Sequence, residues 1–219
     1  MVQQILTPDQ ITLLQAIGNN DVLSKQFYLS GGTALAGFYL HHRYSEDLDF
    51  FSENEVDVLS IQTFFHGLKK KLNIQMIDFQ QSFNRNLLFL HLPNGVLKTE
   101  FTYFPFPPIE LGSVQYGLRI DSLLDIAVNK LFTIYQRTQA RDYIDLYCIC
   151  SEKSYTISAL IKQAKIKFDW HIDPLQLGTQ FVKAQAAPDY PQMISKIDPK
   201  TWQQFYIQEA EQLHSNVLR

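Results

Sequence analysis

Apolar positions recur at helical spacing in some parts of the chain and at strand spacing in others. Thr7, Pro8 and Gln10 read as an N-cap, a proline at the first helical position and a capping-box glutamine. They open a helix carrying Ile11, Leu14 and Ile17 that Asn19 and Asn20 close. Phe27 to Leu29 predicts a short strand, Ser30 to Gly32 a turn into a helix from Thr33 to about His42, and Asp47 to Phe51 the next strand. Leu59, Phe65, Leu68 and Leu72 predict a helix within Val56 to Leu72. Alternation returns over Ile74 to Phe79, Asn86 to Leu92 and Val96 to Phe104, and Pro93-Asn94-Gly95 marks a hairpin between the last two runs. The proline-rich Phe104 to Pro108 breaks regular structure. Helical patterns follow at Ser122 to Arg137, Arg141 to Cys150 and Ile157 to Phe168, while Asp173-Pro174 and Asp198-Pro199 each pair an N-cap with a first-position proline. The pattern predicts an α+β chain: a mixed sheet with flanking helices over residues 1–108, then a mainly helical region over 109–219.

Composition changes this picture little. With 219 residues, 46% of them hydrophobic and 19% charged, the chain can bury a sizeable core. A net charge of -3 gives no global attraction for nucleic acid or anionic lipid, so any such partner must meet a local patch. Candidate patches are Lys69 to Lys71, Arg85, and the cluster Lys162, Lys165 and Lys167. Cys148 and Cys150, one residue apart in a helical pattern, point to different sides and read as core thiols rather than a disulfide. No run reaches the roughly 18 apolar residues of a membrane span, and the N-terminus lacks a secretory pattern, so the expected compartment is the cytoplasm.

Candidate chemistry concentrates in SGGTALAGFYLHHRYSEDLDFF, Ser30 to Phe51. Ser30, Gly31, Gly32 and Thr33 at a helix mouth offer backbone N–H groups to a phosphate, or form only a tight turn. Asp47 and Asp49, two apart on a strand, share a face; they make either a hard-oxygen site for magnesium or a solvated acidic edge. Glu100 shares its face with Lys98 and Thr102. If its strand neighbours that of Asp49, three carboxylates converge as in a two-metal phosphoryl-transfer site. Farther on, Leu123, Ala127, Lys130, Ile134 and Arg137 form one helical stripe, and Asp142 and Asp145 share a face of the next helix. Salt bridges between those helices account for the four charged residues; a triphosphate accounts equally for Lys130 on an apolar face.

These stretches carry a resemblance. GGTAL from Gly31 to Leu35, HRYSEDLDFF from His42 to Phe51, and the lysine-arginine-RDxxDL run from Lys130 to Leu146 resemble the AbiEii/AbiGii nucleotidyltransferase-like toxins of the polymerase-beta-type superfold. The resemblance implies an enzyme that moves an NMP from an NTP to an acceptor hydroxyl. It also implies a toxin of a toxin-antitoxin or phage-defence (abortive infection) system acting on tRNA 3′ ends, with a cognate antitoxin as partner. It places phosphate on Ser30, Gly31, Gly32 and Thr33, with Arg43 beside them, and two Mg2+ ions on Asp47 and Asp49. Glu100 becomes the third carboxylate, as ligand or base, Lys130 the contact to the triphosphate, and Asp145 completes the catalytic set. Two other classes fit the same residues: a nucleotidyltransferase that modifies a protein or a small molecule such as an antibiotic, and a non-catalytic module that binds a nucleotide or an antitoxin.

Overall fold

The computed structural model describes residues 5–217. The chain forms two compact units, one comprising residues 1–39, 45–107 and 111–121 and the other residues 40–44, 108–110 and 122–219.

The first unit is built on a seven-stranded sheet. Its strands are β1 (Tyr28–Ser30), β2 (Leu48–Ser52), β3 (Met76–Ser82), β4 (Arg85–Leu92), β5 (Gly95–Tyr103), β6 (Val114–Gln115) and β7 (Leu118–Ile120). Their order across the sheet is β3-β4-β5-β2-β1-β7-β6. β2 lies near the middle, parallel to β5 and antiparallel to β1. On one face the register sets Leu29 against Phe50 and Phe50 against Phe101, all fully buried. The Phe101 ring stacks on Phe50 at 4.9 Å and meets the edges of Phe27 at 5.0 Å and Phe65 at 5.8 Å. This apolar face forces the alternate residues of β2 and β5, Asp49 and Glu100 among them, onto the other side. The helices are α1 (Pro8–Gly18), α2 (Leu23–Gln26), α3 (Gly31–Leu35) and α4 (Val58–Leu68). The Thr7–Gln10 capping box starts α1 as its sequence predicts.

Two features depart from the expected pattern. The helix after Ser30 does not run unchanged to His42: α3 passes into a π-helical turn, Ala36–Leu40, and His41 has φ +52. In addition, β6 and β7 form a hairpin through Tyr116 and Gly117, and β7 pairs in parallel with β1. Residues 111–121 therefore belong to the sheet unit.

The second unit contains α5 (Leu123–Gln136), α6 (Ala140–Lys153), α7 (Ile157–Phe168), α8 (Pro174–Val182) and α9 (Pro199–Val217). The Asp173-Pro174 and Asp198-Pro199 signals both sit at helix starts, as expected. Its core is aromatic: the Tyr206 ring lies 5.0 Å from those of Tyr143 and Phe181, and the Tyr206 hydroxyl donates to the Tyr143 carbonyl at 2.8 Å. Asp125 staples this unit, accepting from the backbone of Ile109 and Glu110, from Ser122 Oγ, and from Lys167 Nζ at 2.6 Å. Lys167 is thus a buried ion-pair partner rather than a member of an exposed cluster with Lys162 and Lys165. Among the described residues no helix is long and apolar enough to cross a membrane.

Candidate active site

In the first unit the polar face of the sheet carries a row of residues fixed by strand register. Ser30 is paired with Asp49 across β1 and β2, and Asp49 with Glu100 across β2 and β5. Ser30 Oγ donates to Asp121 Oδ2 at 2.6 Å, so a further acid stands at the end of the row. Asp47, two residues before Asp49, lies immediately ahead of β2, and its backbone carbonyl accepts from Thr33 Oγ1. Thr33 Oγ1 also lies 2.8 Å from Ser45 Oγ. The buried Thr33 hydroxyl therefore holds the approach to the acidic strand. Gly31 has φ +72, and a Cβ there would lie 2.5 Å from Asp49 Oδ2. Its missing side chain makes room for that carboxylate, and its backbone adopts a conformation that L residues rarely take.

The acids of this row are met by cations from the neighbouring strands. Lys98 Nζ lies 2.6 Å from Asp47 Oδ2, a half-buried pair with Asp47 34% exposed. Arg85 forks onto Glu100, donating Nε to Oε1 and Nη2 to Oε2 at 2.6 Å each, and Thr102 Oγ1 adds 2.7 Å to Oε1. Burial raises the Glu100 carboxyl, but the bonds from Arg85 and Thr102 outweigh it and hold the group below its ordinary value. Among the described residues no three His, Cys, Asp or Glu side chains are gathered to hold a metal ion. Asp47 and Asp49 carry hard oxygens of the kind that suit a divalent cation, and Glu100, across from Asp49, accepts three hydrogen bonds from Arg85 and Thr102.

In the second unit Lys130, Arg43, Asp142 and Asp145 form a buried ionic cluster. Arg43 donates Nε and Nη2 to the two oxygens of Asp145 at 2.7 and 2.8 Å, and His42 Nε2 lies 2.8 Å from Oδ1. Lys130 Nζ is 2.6 Å from Asp145 and 2.8 Å from Asp142, which also receives Arg137. Burial pushes the Asp145 carboxyl up, but Lys130 and Arg43 hold it well below the usual carboxylate range. Burial lowers Lys130, yet Asp145 and Asp142 raise it on balance, so the cluster is fully charged. Asp142 is depressed in the same way by Lys130 and Arg137 against the effect of burial.

A pH prediction follows from these signs. Because Asp142, Asp145 and Glu100 are all depressed in the folded protein, the stability they contribute is complete above the unfolded carboxyl value of about 4 and is lost as pH falls through the folded values. Calorimetry from about pH 7 to about pH 3 is expected to show a level region and then a steep acid limb. A profile that stays flat below about pH 4 would show these carboxylates to be unpaired in solution.

The family model described as "Nucleotidyl transferase AbiEii toxin, Type IV TA system" matches residues 12–208. The chain belongs to the AbiEii family. An AbiEii chain is a nucleotidyltransferase of a toxin-antitoxin system, which implies an NTP as substrate and an antitoxin as partner. The uncharacterized protein aq_aa25 of Aquifex aeolicus (strain VF5) is 30% identical over 150 residues, 67% of this chain and 68% of that protein. The solved structure of JHP933 from Helicobacter pylori matches with a TM-score of 0.60 and 19% identity, covering 99% of this chain and 94% of that one. MenT4, a nucleotidyltransferase toxin of Mycobacterium tuberculosis, matches with a TM-score of 0.51 and 15% identity, covering 93% of this chain and 82% of that one. At these identities the two structures show a common fold. Within this AbiEii chain the sequence leaves the adjacency of the Asp49 and Glu100 strands as a condition, which the β2–β5 pairing meets, and it does not point to three neighbours of the row. Asp121 follows a strand of three residues, too short for its alternation to stand out as a period, and Lys98 and Arg85 meet their acids only through cross-strand register.

Proposed function

We propose that this AbiEii protein is a cytoplasmic toxin, within phage defence, that transfers an NMP from an NTP to a hydroxyl at the 3′ end of an RNA acceptor, tRNA in particular. The reading is supported by one arrangement: Asp49 on β2 with Asp47 just ahead of that strand, and Gly31 shaped around the Asp49 carboxylate, in a chain of the nucleotidyltransferase toxin family. Asp47 and Asp49 are the residues that would hold a divalent ion, Mg2+ by their hard-oxygen chemistry. Bound there, a divalent ion would supply charge to activate a hydroxyl nucleophile and to offset the charge of the leaving pyrophosphate. Ser30 to Thr33 would orient the phosphates through backbone N–H groups. The family resemblance adds Lys130 as a triphosphate contact, with Asp145 and Arg43 keeping its charge.

Incubation with total bacterial RNA, Mg2+ and each α-labelled NTP in turn tests this. Label is expected in the tRNA size range with one or two preferred bases, and none with Asp49→Asn. Label on protein or on a small molecule instead rejects the RNA acceptor and keeps the reaction class. Binding without pyrophosphate release makes the domain a non-catalytic module.

A further inference from the structure

The β3–β4 hairpin closes with a two-residue turn, Phe83-Asn84, between the paired Ser82 and Arg85. Turns of this length favour Asn, Asp and Gly because they need positive φ. Here the residue at φ +50 is Phe83, whose side chain packs against nothing: it is 98% exposed. A bulky side chain in that region is strained, and an exposed aromatic gains no burial to offset the strain. The turn itself is well anchored, since the Asn84 carbonyl accepts from the Tyr103 backbone at 3.0 Å at the end of β5. Immediately after it comes Arg85. Its Nε and Nη2 are fixed by Glu100, yet its side chain is 56% exposed. Glu100 itself is only 7% exposed. Glu100 thereby orients a guanidinium whose Nη1 lies outside the fork.

We propose that Phe83 and Arg85 form the docking point for the single-stranded end of the nucleic-acid acceptor, with a base stacked on the Phe83 ring and a backbone phosphate on the Arg85 guanidinium. The proposal rests on the RNA-acceptor reading above. A planar, pre-oriented guanidinium suits phosphate recognition. An aromatic platform accepts any base, and pairing it with a cation is how single strands are held without sequence readout. Because the whole chain carries a charge of -3, RNA must be met by a local device of this kind. Glu100 is a positioning residue here and acts through Arg85.

The test measures binding of a fluorescent single-stranded RNA oligonucleotide by anisotropy, NTP binding by calorimetry, and melting temperature. Phe83→Asn is expected to leave the melting temperature unchanged or raised, because Asn suits the turn, while RNA affinity falls about tenfold and NTP affinity holds. Arg85→Met is expected to weaken RNA binding about tenfold and to shrink the slope of log affinity against log salt by about 0.7. If Arg85→Met is unstable, adding Glu100→Gln removes the uncovered charge and restores the fold without restoring RNA affinity. RNA affinity within about twofold of wild type in both Phe83→Asn and Arg85→Met overturns the proposal, and so does a loss that falls on NTP binding instead. Failure of the RNA-acceptor reading itself looks different: the wild-type protein then labels a protein or small molecule and binds the oligonucleotide no better than Phe83→Asn does.

Discussion

Asp49→Asn is expected to abolish nucleotidyl transfer while leaving the fold as stable as before or slightly more so. Asn keeps the size of the side chain that occupies the space beside Gly31. The change removes a negative charge directly across from Glu100, and the relief of repulsion offsets the lost attraction of Asp49 for Arg85. The loss of activity should be on the order of 10²–10³ or more, the scale of removing one group aimed at the developing charge of a transition state. Transfer from an α-labelled NTP and melting temperature without added metal are measured together. A fall of more than about 5 °C in metal-free melting, about 2 kcal/mol for a chain of this length, would falsify the functional assignment and make Asp49 a structural acid. Gly31→Ala is a poor substitute for this test, because it combines an unfavourable φ with a direct collision and damages fold and site at once.

Asp145→Ala should give the opposite signature, a stability loss of about 3–5 kcal/mol, because it strips the anion from buried Arg43 and leaves Lys130 with Asp142 alone. Melting temperature should drop by roughly 10 °C. Lys130→Met separates structure from function in the same cluster. It keeps the aliphatic stem and leaves Asp145 its bonds to Arg43. Weaker NTP binding by calorimetry, or a slower single turnover at temperatures where the variant is folded, would support the triphosphate contact. Unchanged binding and rate would leave the cluster as packing chemistry only.

Local signals were the ones the sequence made legible. Helix starts at Thr7-Pro8, Asp173-Pro174 and Asp198-Pro199 are set by caps and prolines within a few residues, and each is where the pattern predicts it. The placement of Asp49 opposite the apolar face of β2 follows from strand periodicity alone. That β2 lies beside β5 could be stated only as a condition, because strand order depends on contacts far apart in the chain. The fork of Arg85 on Glu100 lies one step further on, since it needs the register as well as the order. Lys167 carries a local signal of its own: with Ile157, Leu160 and Ala164 it falls on the buried stripe of α7, where a lysine requires an anion. The π-helical turn and the β6–β7 hairpin were not readable, since neither is long enough to show a period.

Each compact unit is assembled from three separate stretches of chain, and this sets the order in which the protein can be made. His42 and Arg43 are synthesised 103 and 102 residues before their anion Asp145. At about 5–20 residues per second the ribosome needs roughly 5–20 s to cover that distance. The sheet unit likewise lacks β7, the parallel neighbour of β1, until residue 120 has been added. A single cut at the proline-rich segment releases neither unit whole. Such long-range closure is slow to nucleate, so the nascent chain carries its acidic row well before the ion pairs that lock its helices, and folding is completed only as the last third of the polypeptide emerges.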